Sequence, residues 1–122
     1  MSTVETTIQV KITLDENNIP QFSYSQNGEI SDGSVVVDCG QDIIYQLVES
    51  PGYAFTGAGF LTPFNKVIDS VSVTDGGQQL ILVDEDSVSG VTSFQLILSC
   101  ATSGLLLLSP DPQVVNKGID PA

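Results

Sequence analysis

The chain contains no histidine, no arginine and no tryptophan, and its only cations are Lys11, Lys66 and Lys117. Each absence removes a class of chemistry. Without histidine there is no Ser-His-Asp or Cys-His base, no imidazole proton shuttle and no histidine-bound copper or zinc centre. Without arginine there is no planar fork to clamp a phosphate or carboxylate. Three scattered lysines make no basic patch. Cysteine is scarce as well: Cys39 and Cys100 are too few and too widely spaced for a zinc knot. Both fall at the ends of expected strands. They are read as two free, largely buried thiols, and a disulfide stays open only if those strand ends are neighbours in space. No apolar run exceeds four residues, too short for a membrane-spanning helix, and Met1-Ser2-Thr3-Val4-Glu5 has neither the positive flank nor the apolar core of a leader. The expected location is the cytoplasm. Gly57-Ala58-Gly59 and Asp75-Gly76-Gly77 have no strand-to-helix context and are read as turns rather than phosphate-binding loops.

What is present is acid and alternation. Across 122 residues, 15 carboxylates give a formal charge of -12, with 41% hydrophobic residues. That length and apolar content fit one domain with a modest core, assigned to residues 1–116, with 117–122 a loose tail. Nucleic acid and anionic membranes are excluded as natural partners, because phosphates are neutralised by Lys and Arg. The acidic surface serves solubility, or attracts cations or basic partners.

Val4 to Leu14 alternates apolar and polar residues, the pattern of a half-buried strand. Asp15-Glu16-Asn17-Asn18 is a hairpin turn. Phe22 and Tyr24 mark a second strand after Pro20, Asn27-Gly28 signals a tight reversal, and Val35-Val36-Val37-Asp38-Cys39 follows the Ser31-Asp32-Gly33 turn. Gln41 to Glu49 has apolar residues at helical spacing, but it is short, rich in β-branched and aromatic residues and bracketed by Gly40 and Pro51-Gly52. A strand is the favoured reading and a helix the alternative. Pro51 to Gly59, rich in glycine and aromatics, reads as a loop that folds back as a lid or forms a binding edge. Val67, Val71 and Val73 alternate again, and Gln79 to Val83 follows the Asp75-Gly76-Gly77 turn. The longest apolar unit is Val88 to Asn116. There Phe94, Leu96 and Leu98 fall on one side of an extended chain, and Gln95, Ile97 and Ser99 on the other. A reversal at 101–104 leads into Leu105-Leu106-Leu107-Leu108. Eight or nine short strands bounded by Gly, Asn, Asp and Pro imply an all-β, two-sheet antiparallel β-sandwich, immunoglobulin-like or cupredoxin-like.

Candidate functional residues follow from what remains. Asp84, Glu85 and Asp86 supply oxygen ligands at a strand end, so calcium is the one cofactor the sequence allows. The plainer reading is a solvated strand end, with no cofactor. Tyr53 and Phe55 could bind a carbohydrate from an aromatic loop, though a core can absorb them. Paired carboxylates carry no weight among so many acids, and no enzyme is expected. Leu105, Leu106, Leu107 and Leu108 would cover a sheet face as the natural core, yet alternate leucines of one strand must face away from it. A second sheet, a loop or a partner subunit has to cover them. In Ser109-Pro110-Asp111-Pro112 the prolines bar the middle of a ladder. Asp111 could cap nearby N–H groups, and Gln113-Val114-Val115-Asn116 would rejoin the sheet as an edge strand. The leading functional expectation is self-association or protein binding; the rival is a calcium- or carbohydrate-binding module.

The run Phe94-Gln95-Leu96-Ile97-Leu98, then Gly104, then Asp111-Pro112-Gln113-Val114-Val115-Asn116, resembles the uncharacterised bacterial DP-EP family, named for its Asp-Pro and Glu-Pro dipeptides. It is more distantly similar to bacterial inclusion-body proteins with an Asp-Pro before their last strand. Asp111-Pro112 carries the Asp-Pro dipeptide. There is no Glu-Pro, and the nearest approach is Glu49-Ser50-Pro51. The resemblance implies a β-sandwich and supplies no catalytic residues.

Overall fold

A computed structural model describes residues 4–37, 40–62, 64, 66–84, 90–110 and 113–116. Alternation turns into strands almost wherever it occurs. The eleven strands are β1 (Val4–Leu14), β2 (Pro20–Gln26), β3 (Glu29–Ser31), β4 (Val35–Val37), β5 (Gln41–Leu47), β6 (Tyr53–Phe60), β7 (Ser70–Thr74), β8 (Gln79–Asp84), β9 (Gly90–Cys100), β10 (Ser103–Leu108) and β11 (Gln113–Asn116). Among the described residues a single 3₁₀ turn, Asp75–Gly77, precedes β8. The strands form two sheets that do not close into a barrel. The first runs β3-β2-β1-β5-β8-β7; in the second, β9 carries β6 on one side and both β10 and β11 on the other, with β4 beyond β11. Two pairings are parallel, β1 with β5 and β11 with β4, and the rest are antiparallel.

The core lies between the sheets. From the first sheet come Ile8, Val10, Ile12, Tyr24, Ile43, Tyr45, Leu80 and Leu82, and from the second Val35, Val37, Phe55, Phe94, Leu96, Leu98 and Val114. Tyr45 and Phe94 meet edge to face across the gap at 5.9 Å, a geometry the ring quadrupoles favour. Gln41 to Leu47 is a strand with strictly alternating burial, so the helical spacing there is incidental. Asn27 and Gly28 take positive φ values of 53° and 81°, as the tight reversal between β2 and β3 requires. At Asp15 to Asn18, Asp15 Oδ1 accepts the N–H of Asn17 at 2.8 Å and of Ile19 at 2.9 Å.

Several expectations need correction. The sheets are mixed rather than wholly antiparallel, and the described residues hold eleven strands rather than eight or nine. Pro51 to Gly59 is not a loop, and Gly57 to Gly59 is not a turn: Tyr53–Phe60 is a strand paired with β9. Its register shifts between Phe55 and Gly57, so a bulge at Thr56 reverses the side-chain parity. Phe55 before it and Ala58 and Phe60 after it all pack on the core. Gln113–Asn116 is not an edge strand, since it lies between β9 and β4. The strand containing Val71 and Val73 begins only at Ser70; Val67 is buried but precedes it.

Candidate interaction surface

Strand β9 is the spine of the second sheet. Its alternate residues Thr92, Phe94, Leu96 and Leu98 are buried, while Gln95, Ile97 and Ser99 face outward, as the period of two demands. A tight turn at Ala101-Thr102 leads into β10, and the Cys100 thiol lies 3.2 Å from the Thr102 hydroxyl. That contact holds the thiol below its ordinary value. Cys100 is free and half-buried; Cys39 lies outside the described residues. Between Ser103 and Leu106 the ladder is irregular, and it then runs Leu106 opposite Ser99, Leu107 opposite Leu98 and Leu108 opposite Ile97.

Only Leu107 reaches the core. Leu105, Leu106 and Leu108 are 78%, 64% and 52% exposed, so the leucine run does not cover a core face. The reason is position. β10 ends its sheet among the described residues, and the irregularity at Gly104-Leu105 takes Leu105 out of the alternation. Leu106 and Leu108 belong to the outward set.

Ser109 is the residue that sequence reasoning passed over. At 1% exposure, its N–H donates to the Leu96 carbonyl at 3.0 Å, and its Oγ accepts the Leu96 N–H at 2.8 Å and donates to the Pro110 carbonyl at 2.9 Å. Gln95 Nε2 donates to the Ser109 carbonyl at 3.0 Å. Its hydroxyl replaces a main-chain partner where the chain leaves β10, before β11 resumes opposite Gly90 to Ser93. The serine before the two prolines was the available signal.

Outside this ladder the face is left open by the described residues. Gly57 and Gly59 flank Ile97 without side chains, and a Cβ at Gly59 would lie 3.7 Å from Ile97 Cδ1. The result is a shallow trough of about 410 Å³, lined by Gly59, Leu61, Gln95, Ile97 and Leu108 among others. Leu61, 79% exposed, stands at its rim. Strands β4, β6, β9, β10 and β11 contain no Asp, Glu or Lys. In a chain of charge -12, every charged strand residue belongs to the other sheet: Glu5, Lys11, Glu29, Asp42 and Asp84.

Among the described residues, the remaining candidates do not come together in a second site. Asp84 is fully buried, opposite Gln41, so its carboxylate is not a solvated strand end. Glu85, Asp86 and Asp111 lie outside the described residues. No group of three or more His, Cys, Asp or Glu suited to a metal occurs among the described residues. Phe55 is core, and Tyr53 is partly buried against it, its carbonyl accepting Gln78 Nε2 at 3.0 Å. Neither ring forms an open sugar platform. No helix among the described residues is long and apolar enough to cross a membrane.

All of the sandwich but the first two residues of β1, and the leucine edge with it, falls within residues 6–118, which match the DP-EP family. The chain belongs to the DP-EP family. No curated protein matches it. The match takes in both sheets and extends past the Asp111-Pro112 dipeptide. At Glu49-Ser50-Pro51, the nearest approach to a Glu-Pro pair in this chain, Ser50 Oγ accepts the buried Ile12 N–H at 2.8 Å. That bond ties the end of β5 to β1.

Proposed function

We propose that this DP-EP protein works by associating with protein surfaces, a second copy of itself foremost, rather than by catalysis. The observation that carries the reading is the outer face of the second sheet. It is uncharged along every strand and exposes Leu106 and Leu108 beside the Ile97 trough. A chain with a strong negative charge gains nothing from leaving such a stripe in water, because apolar area removed from water is worth about 25 cal/mol per Å². Contiguous exposed apolar patches mark interaction sites, and self-repulsion between acidic copies is least where no ionised side chain stands.

Sedimentation velocity from dilute to concentrated solution, at physiological ionic strength, tests the reading on wild type and Leu108→Glu. Leu108 is half exposed, so the substitution leaves the core alone. The expected result is a mass that rises with concentration in the wild type and stays monomeric in the variant. A wild type that stays monomeric throughout, or a variant that associates equally, refutes it.

A further inference from the structure

A sheet edge presents unpaired N–H and C=O groups, and natural proteins blunt such edges with charge, proline, bulges or short strands. The other edges of this sandwich are short, bulged, or made of polar side chains flanked by charge, as at Ser70, Ser72 and Thr74 of β7. β3 has three residues and carries Glu29, β4 has three residues, and β7 lies between Asp69 and Asp75. β6 is bulged at Thr56 and interrupted by two glycines. β10 has no charge and no proline, and its last three residues run in regular register with β9. Resting on the association reading above, we infer that β10 is completed by β10 of a second copy, antiparallel about a two-fold axis at Leu107, so that the two second sheets become one.

The sequence and the register both select a second copy. Leu105 to Leu108 is its own reverse, so antiparallel self-pairing sets leucine against leucine and brings no like charges together. A basic partner attracted by the acidic chain would be drawn to the charged strands of the other sheet instead. The Ser109 N–H points at Leu96. Antiparallel ladders alternate, so the main-chain groups of Leu107 also face β9 and those of Leu106 and Leu108 face the edge that no strand of the described residues pairs. An axis at Leu107 places Leu106 opposite Leu108 of the copy, twice, with both members offering outward groups. An axis at Leu106 would set the irregular Gly104 against Leu108, and one at Leu108 would set Pro110, which has no N–H, against Leu106. The outward side chains of Leu106 and Leu108 then lie side by side across the joint, and the Ile97 troughs of the two copies flank them.

Single-cysteine variants test this geometry in a full-length Cys39→Ser, Cys100→Ser background. Residues in a directly opposed, hydrogen-bonded pair have Cα atoms about 5.5 Å apart, within disulfide reach, whereas diagonal neighbours stand about 7–8 Å apart. Leu106→Cys mixed with Leu108→Cys is expected to give a cross-linked heterodimer on mild oxidation, with loss of cross-linking when either variant is oxidised alone. Amide exchange on unmodified protein gives a second reading, with exchange at Leu106 and Leu108 slowing in concentrated solution relative to dilute. If either variant alone cross-links as well as the mixture, or if wild type associates without slowing those two amides, the edge pairing is wrong while the association reading stands. If wild type sediments as a monomer, both fall.

Discussion

Tyr45 sits fully buried on β5 and donates its hydroxyl proton to the Gly33 carbonyl at 2.6 Å. Burial, with the negative charges that Tyr24 and Asp32 would present to a phenolate, pushes the phenol well above its ordinary 10.0. Tyr24 is raised as well, chiefly by burial and against the opposing pull of the Ser109 hydroxyl. Above about pH 10 an unfolded tyrosine gives up its proton while the native one keeps it, so the folded state binds more protons and stability falls as pH rises. The contribution is complete below pH 10.0 and is lost as pH climbs toward the folded value. Tyr45→Phe is therefore expected to cost about 1 kcal/mol near neutrality through the lost hydrogen bond. It should also show a shallower alkaline decline than wild type in urea titrations at successive pH values; an identical decline would contradict this placement of the ring. Gly33, whose carbonyl takes that bond, has φ of 85°, and a Cβ there would come within 3.1 Å of the Tyr24 ring. The reversal before Val35 was legible in sequence, but this packing was not, because the two tyrosines meet it from strands far apart in the chain.

Among the elements, β11 departs most from what its local sequence suggests. Two prolines before it and an apparent tail after it argue for a peripheral strand, yet Val114 is completely buried between β9 and β4. Parallel pairing with β4, three residues long and distant in the chain, leaves no local trace. Val114→Ala is expected to cost about 2 kcal/mol, at the low end of large-to-small core substitutions. Val36→Ala, 59% exposed on the neighbouring strand, should stay within about 0.5 kcal/mol. Equal midpoints in urea would return β11 to the periphery. β6 teaches a related lesson. Phe55, Ala58 and Phe60 share one face only because the Thr56 bulge shifts the count by one, and a broken alternation looks like a loop.

For the molecule as a whole, charge is sorted by sheet. The one ion pair found among the described residues joins Lys11 to Glu49 at 2.9 Å on an exposed surface, where such pairs are worth about 0–1 kcal/mol. Most of the -12 charge is left to self-repulsion. Raising salt from about 0.01 M to about 1 M shortens the screening length from about 30 Å to about 3 Å, so the melting temperature should rise with salt. At matched ionic strength, calcium and magnesium should raise it equally. A rise specific to calcium would show a preformed oxygen cage and would direct attention to Glu85 and Asp86. Salt should also strengthen self-association, since the proposed joint is apolar and the repulsion opposing it is screened.

Local chemistry settled much of this fold. Strand period, the Asn27-Gly28 reversal and the buried set Phe94, Leu96 and Leu98 all follow from residues within a few positions of one another. The acidic character was equally plain from composition. Tertiary structure decided three things. It chose the parallel neighbours of β1 and β11, because strands distant in the chain have no shared pattern to announce their pairing. It made a strand of Tyr53–Phe60, because only pairing with β9 reveals a bulge. It also left Leu105, Leu106 and Leu108 in solvent, because a leucine is buried by what lies over it, and nothing among the described residues of the chain lies over that edge.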